Sequence, residues 1–219
     1  MGIVSRLTTI VFGQTEKPTG LFGRFFVQMM NVAHSRLTDW GLTHVSIGRH
    51  DTILDVGCGG GRTVRKLAAI ATKGKVYGID YSAESVAIAR STNEQLIKAG
   101  RVEIRHASVS HLPFPDRTFD LVTAVETHYF WPDLIADLRE VFRVLKPGGR
   151  LVILAEVYKG GKHYALNRRF IEPASGEVQM VFPGVDEFRE LFSAAGYSKA
   201  RVFEEPDKGW ICCVGKRPS

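Results

Sequence analysis

The chain has 219 residues, 44% of them hydrophobic and 24% charged, which is enough apolar content for a full core and excludes a disordered protein. No apolar run approaches the roughly 18 residues of a membrane-spanning helix. The net charge of +6 is spread over 29 scattered basic residues, in runs no longer than Arg168–Arg169, so it reads as a solvated basic surface and not as a nucleic-acid interface.

Residues 1–48 precede the first strand signal. The opening "MGIVSRLTTIVFG" has one arginine and a short apolar run but no small-residue cleavage site, and a cytoplasmic protein is expected. The stretch "GLFGRFFVQMMNVAHSRLTDWGL" reads as an amphipathic helix. It offers Leu21, Phe22, Phe25, Phe26, Met29, Met30, Leu37 and Trp40 as apolar cover. We expect a helical lid over 1–48. A weak contact with a membrane surface is the alternative, disfavoured by the few basic residues there.

From residue 50 onward strand and helix signals alternate. "TILDVG" is a short apolar run, and residues 62–72 follow with Val64, Leu67, Ala68 and Ala71 at helical spacing. "KVYGID" is the next strand. Ser82 is an N-cap, and the helix after it carries Val86, Ala89, Leu96 and Ile97 before stopping at Gly100. "VEIRHAS" and "FDLVTAVE" are the third and fourth strands. Pro132 opens a helix with the stripe Leu134, Leu138, Val141, Phe142 and Leu145, which "KPGG" ends. "RLVILAE" is the fifth strand, and residues at about 157–184 form an insertion. A last helix at about 185–195 stops at Gly196, and two strands near 199–205 and 210–216 are joined by "PDKG" as a hairpin.

Cys58, Cys212 and Cys213 have no framework spacing and read as buried thiols. None of the seven histidines stands at metal-ligand spacing from a cysteine or carboxylate, and no metal is expected. The nearly all-apolar early strands suit a parallel sheet covered by helices on both faces, a doubly wound α/β fold. Ligands bind such sheets beyond the carboxyl ends of the strands.

That edge carries "ILDVGCGGGR", with four glycines among residues 57–61. The dinucleotide pattern needs glycine at its first, third and sixth positions, and here these are Gly57, Gly59 and Arg62, so a pyrophosphate reading fails. Asp55, two residues before the turn, repels an anion and attracts an ammonium. Asp80 ends the second strand 19 residues after Gly61, where an acid accepts from ribose hydroxyls. A ribose, a cation and a close backbone approach together fit S-adenosylmethionine. A dehydrogenase binding NAD and a non-catalytic cofactor-binding protein are the competing readings.

"LDVGCGGGR", "VYGIDYS", "LPFPDRTFDLV" and "LKPGGRLVI" together resemble the successive motifs of class I S-adenosylmethionine-dependent methyltransferases. Within that class the match is to the methyltransferase type 11 and ubiquinone/menaquinone C-methyltransferase-like group. The resemblance covers about residues 50–155. It implies a Rossmann-like, seven-stranded, mostly parallel sheet with a C-terminal hairpin, within a methyltransferase domain over 49–219. It further implies that Gly57, Gly59 and Gly61, with Cys58 among them, line the methionine moiety, and that Asp55 fixes its ammonium. Asp80 would hold the ribose and Tyr81 would lie against adenine. Many relatives place an aspartate after the third strand to bond the adenine amino group; this chain has Ser108 and Val109. Glu126 and Thr127 would border the transferred methyl. The product would be S-adenosylhomocysteine.

"ETHYFWP", residues 126–132, follows the fourth strand and is not the asparagine-proline-proline-aromatic motif of nucleic-acid base or protein glutamine methylation. His128 is a candidate base, with a packed histidine as the plainer reading. Tyr129, Phe130 and Trp131 form either an acceptor wall or core. The expected partner is a small, partly lipophilic acceptor and no nucleic acid, in a monomer or homodimer.

Overall fold

A computed structural model describes residues 34–170 and 180–219. Helix α1 (Ser35–Leu42) precedes the alternating body: β1 (Thr52–Val56), α2 (Arg62–Ile70), β2 (Lys75–Asp80), α3 (Ala83–Thr92), α4 (Glu94–Lys98) and β3 (Val102–His106). Then come β4 (Phe119–Val125), α5 (Leu134–Val144), β5 (Leu145–Ala155), α6 (Tyr164–Phe170), α7 (Val185–Ala194), β6 (Ser198–Glu205) and β7 (Trp210–Lys216). The seven strands form one sheet in the order β3-β2-β1-β4-β5-β7-β6. All pairs are parallel except those of β7, which runs antiparallel between β5 and β6. The expected mostly parallel sheet with a terminal hairpin is present.

Both faces are dry. On one, Phe119, Val122, Leu151 and Ile153 pack with Leu138 and Val141 of α5 and with Phe188 and Phe192 of α7. On the other, Ile53, Leu121, Val152 and Cys212 pack with Leu37 of α1, Val64 and Leu67 of α2 and Val86 of α3. All three cysteines are buried and free. The close approach of α1 depends on Gly41, where a Cβ would stand 2.1 Å from Leu154 Cδ2. Most of the segment expected as a lid lies outside the described residues. Of its apolar positions, Leu37 is completely buried in the core and Trp40 packs against it. No helix among the described residues is long and apolar enough to cross a membrane.

Three boundaries differ from the sequence expectation. The helix after Ser82 is two helices, broken at Asn93, whose buried amide donates to the carbonyls of Gly61 and Ala89, both at 2.9 Å. Pro132 lies before the next helix and does not open it; Asp133 is the N-cap and accepts from the Ala136 N–H at 3.0 Å. Strand β5 begins at Leu145, taking in "KPGG", with a register shift opposite Phe119/Leu121.

The Asn93 contact fixes where the glycine turn enters α2. Gly61 has φ +78, and a Cβ there would meet Asn93 Nδ2 at 2.5 Å and the Ala89 backbone at 2.9 Å. Gly61→Ala combines left-handed strain with overpacking, each costing about 1–2 kcal/mol. We expect it to lower the urea midpoint clearly with an unchanged slope, as measured by equilibrium unfolding.

Candidate active site

The carboxyl ends of β1, β2 and β4 open on one cavity of about 350 Å³. Its floor is the turn from β1 into α2. Gly57, Gly59 and Gly61 all take positive φ there (67, 51 and 78°), a conformation open to glycine without a Cβ penalty. The turn is clamped to β2: Cys58 N–H donates to the Ile79 carbonyl at 2.8 Å, and Gly59 N–H donates to Asp80 Oδ2 at 2.9 Å. The other oxygen of Asp80 accepts from Ser82 N–H at 2.9 Å. Each oxygen still has accepting capacity left. Burial pushes the Asp80 carboxyl up, against the opposing pull of these two N–H groups.

Asp55 is 2% exposed and takes the Thr123 hydroxyl on Oδ1 at 2.6 Å. Burial drives its pKa up to about 7, the Thr123 bond opposes this, and the neighbouring Asp80 adds to it. Burial likewise keeps Cys58 well above the usual thiol range. Tyr81, Ser108 and Val109 line one side of the cavity. Ser108 Oγ accepts from Ser110 N–H at 3.2 Å, so the hydroxyl also closes its own turn. Gly60 faces the cavity, whereas Gly61, expected to line the methionine moiety, sits behind it against α3, because its carbonyl and missing Cβ serve the Asn93 contact.

The other end of the cavity is acidic and aromatic. Glu126 ends β4 with φ 56 and lines the cavity with Thr127, Phe130 and Trp131. Its Oε1 accepts from Glu156 N–H at 2.5 Å and from the Tyr129 hydroxyl at 3.2 Å; that hydroxyl in turn accepts from Val157 N–H at 3.1 Å. Burial, and then the Glu156 charge, raise the Glu126 pKa to about 8. Tyr129 thus stands behind the wall, as a brace for Glu126. The indole N–H of Trp131 has no hydrogen-bond partner among the described residues, although the ring is 5% exposed.

His128 is not placed to act as a base. It is completely buried, does not line the cavity, and packs on Tyr129 and Phe188 with ring centroids 4.1 and 5.4 Å away. Burial lowers its pKa to about 3. The first turn of the 3₁₀ segment His128–Phe130 directs this side chain into the core. The sequence reading also missed residues that the fold brings to the cavity: His34, Ser35 and Thr38 from the start of α1, and Lys66 from α2. Lys66 ties these helices together by donating to the Ser35 carbonyl at 2.9 Å and by pairing with Asp39. No local pattern marks these contacts, which depend on α1 folding back onto the sheet.

Residues 54–153 match the family model of a methyltransferase domain. The demethylmenaquinone methyltransferase of Bacillus licheniformis is 33% identical over 182 residues, covering 74% of this chain and 77% of that protein. Its counterpart from Geobacillus stearothermophilus is 32% identical over 183 residues, covering 74% and 76%. Among solved structures, a chain of the complex between the Haloferax volcanii Trm112 methyltransferase activator and a methyltransferase aligns with TM-score 0.73 at 23% identity, covering 88% of this chain and 94% of that one. Human N-acetylserotonin methyltransferase, solved with S-adenosylmethionine, aligns with TM-score 0.71 at 15% identity, covering 90% and 56%.

The Asp55 environment makes a signed prediction. Its carboxyl keeps a proton in the folded protein up to about pH 7, while an unfolded aspartate ionises near pH 4. The native state therefore holds the extra proton, and this contribution to stability is complete below about pH 4 and lost as pH rises toward 7. Asp55→Asn cannot titrate. In urea unfolding of the ligand-free protein, the stability of the parent relative to this variant should fall between pH 4 and 7. A difference independent of pH would show that Asp55 is ionised in the fold.

Proposed function

The chain belongs to the class I S-adenosylmethionine-dependent methyltransferases and is such an enzyme, and we propose that it methylates a small, partly apolar acceptor held beside Glu126 and Trp131. The observation that carries this reading is the shared cavity: it joins the clamped glycine turn and two strand-end aspartates to a separate wall of aromatic and acidic groups. In this reading Asp80, with its remaining lone pairs, accepts from the ribose hydroxyls. Asp55 stands behind the turn toward the ammonium, and Tyr81, Ser108 and Val109 surround the adenine. Gly57 through Gly60 allow the methionine part to approach the backbone.

The donor arrives with its electrophile already activated by positive sulfur, so the protein's main task is alignment. The acceptor's nucleophilic atom forms a bond to the methyl carbon as the carbon–sulfur bond breaks, the electron pair leaving on sulfur. Phe130 and Trp131 exclude water and orient an apolar ring, and the free Trp131 N–H suits an oxygen on that ring. Because relatives act on demethylmenaquinone, we infer a quinol-like aromatic acceptor, methylated on the ring. In this proposal the residues before α1 act as a lid, beside the point where His34, Ser35 and Thr38 reach the cavity.

Two measurements test these points. Calorimetry should show binding of S-adenosylmethionine and not of NAD, and Asp80→Asn should weaken it tenfold to a hundredfold, since charge-assisted hydrogen bonds are worth about 1.5–3 kcal/mol. If Asp80→Asn melts like the parent and binds equally well, the ribose role fails. For the acceptor, a reduced naphthoquinone lacking its ring methyl should release S-adenosylhomocysteine. A chain starting at residue 34 should keep its melting temperature, because Leu37 and Gly41 remain, yet lose most of that turnover.

A further inference from the structure

We propose that His34, Glu126 and Glu156 form a binding site for one divalent transition-metal ion at the acceptor end of the cavity. A potential ligand atom from each residue lies within 4.8 Å of the other two. The three come from separate elements: the residue before α1, the end of β4 and the end of β5. An imidazole nitrogen with two carboxylates is a donor set for ions such as Mn²⁺, Fe²⁺ or Zn²⁺.

Three further observations support an ion here. The two half-buried carboxylates bring oxygens within 4.8 Å of each other, yet neither forms an ion pair with lysine or arginine among the described residues. An external cation offsets that mutual repulsion. Each carboxylate also has one oxygen held by neutral donors: Tyr129 O–H and Glu156 N–H on Glu126 Oε1, and the Trp210 indole N–H on Glu156 Oε1 at 3.1 Å. Partners of this kind, one step removed from an ion, orient ligand carboxylates and leave the second oxygen for the metal. Finally, His34 and Glu126 line the cavity, so an ion between them keeps an open side for an acceptor.

The ion's role rests on the methyl-transfer reading. Bound to an acceptor hydroxyl, it would lower the pKa of that group; the hydroxyl proton would leave to solvent, the ring carbon of the anion would bond the methyl carbon as the carbon–sulfur bond breaks, and the hydrogen on that ring carbon would leave as a proton to restore the aromatic ring. Local spacing could not reveal such a site, because its ligands are 92 and 30 residues apart along the chain.

The test uses the ion alone. Chelator-stripped full-length protein is titrated calorimetrically with Mn²⁺ and, separately, with Zn²⁺. We expect one ion per chain, with His34→Ala and Glu156→Gln each weakening binding about tenfold or more. No saturable binding of either ion, or unchanged affinity in both variants, overturns the proposal. Should Glu156→Gln fail to fold by thermal melting, His34→Ala decides alone, since it truncates a side chain outside the sheet. Titrating the same parent sample with S-adenosylmethionine separates the two readings. Donor binding without ion binding defeats only the metal site, and ion binding without donor binding defeats only the methyltransferase reading.

Discussion

The site depends first on one hydrogen bond, from the Gly59 N–H to Asp80 Oδ2. Three glycines with positive φ give the β1–α2 turn a wide choice of conformations, and freedom of that sort costs entropy when the turn is ordered. The Asp80 carboxylate removes the choice by taking Gly59 on one oxygen and Ser82 on the other, joining the ends of two adjacent parallel strands. Cys58 N–H on the Ile79 carbonyl makes the clamp two-point. On the far side, Asn93 holds the Gly61 carbonyl and so ties the start of α2 to α3. A turn built in this way presents fixed backbone to a ligand while the aspartate that fixes it remains available to that ligand.

The electrostatics of the cavity run against those of the chain. The protein carries a net charge of +6, but Asp55, Asp80 and Glu126 line one cavity, with Glu156 beside Glu126, and the first three are all driven upward mainly by burial. Holding carboxyls in this way is costly unless protons or cations accompany them. The proposed occupants are cationic at the matching places: an ammonium near Asp55, a sulfonium between, and a metal ion at Glu126 and Glu156. Cations bound there would favour the ionised forms of Asp55 and Glu126.

The glycine turn and its two strand-end aspartates were legible in the sequence because these residues are local. Asp55, the glycines and Asp80 sit at strand ends whose apolar runs and helical periods mark them, and even the failure of the dinucleotide pattern at Arg62 could be read directly. Where the reading failed, a tertiary contact decided the outcome. Gly60 and Gly61 are indistinguishable as letters, and only Asn93, 32 residues on, decides which one faces the cavity. His128 has the composition of a base, yet the 3₁₀ turn aims it at Phe188. Tyr129 reaches Glu126 from behind, an orientation that periodicity over so short a segment cannot give.

Of the groups proposed to meet the acceptor, Glu126, Phe130 and Trp131 lie within the matched methyltransferase domain, and His34 and Glu156 lie outside it. The matched methyltransferase domain spans residues 54–153, which includes Asp55, Asp80 and Glu126 but excludes His34 and Glu156. His34 is carried by α1, a helix held by Leu37 in the core, by Gly41 against Leu154 and by Lys66 bonding to Ser35. Its anchor is therefore structural at one end while its other end borders the cavity, so substitutions in the Gly41–Leu154 contact should move His34 without touching the glycine turn between β1 and α2.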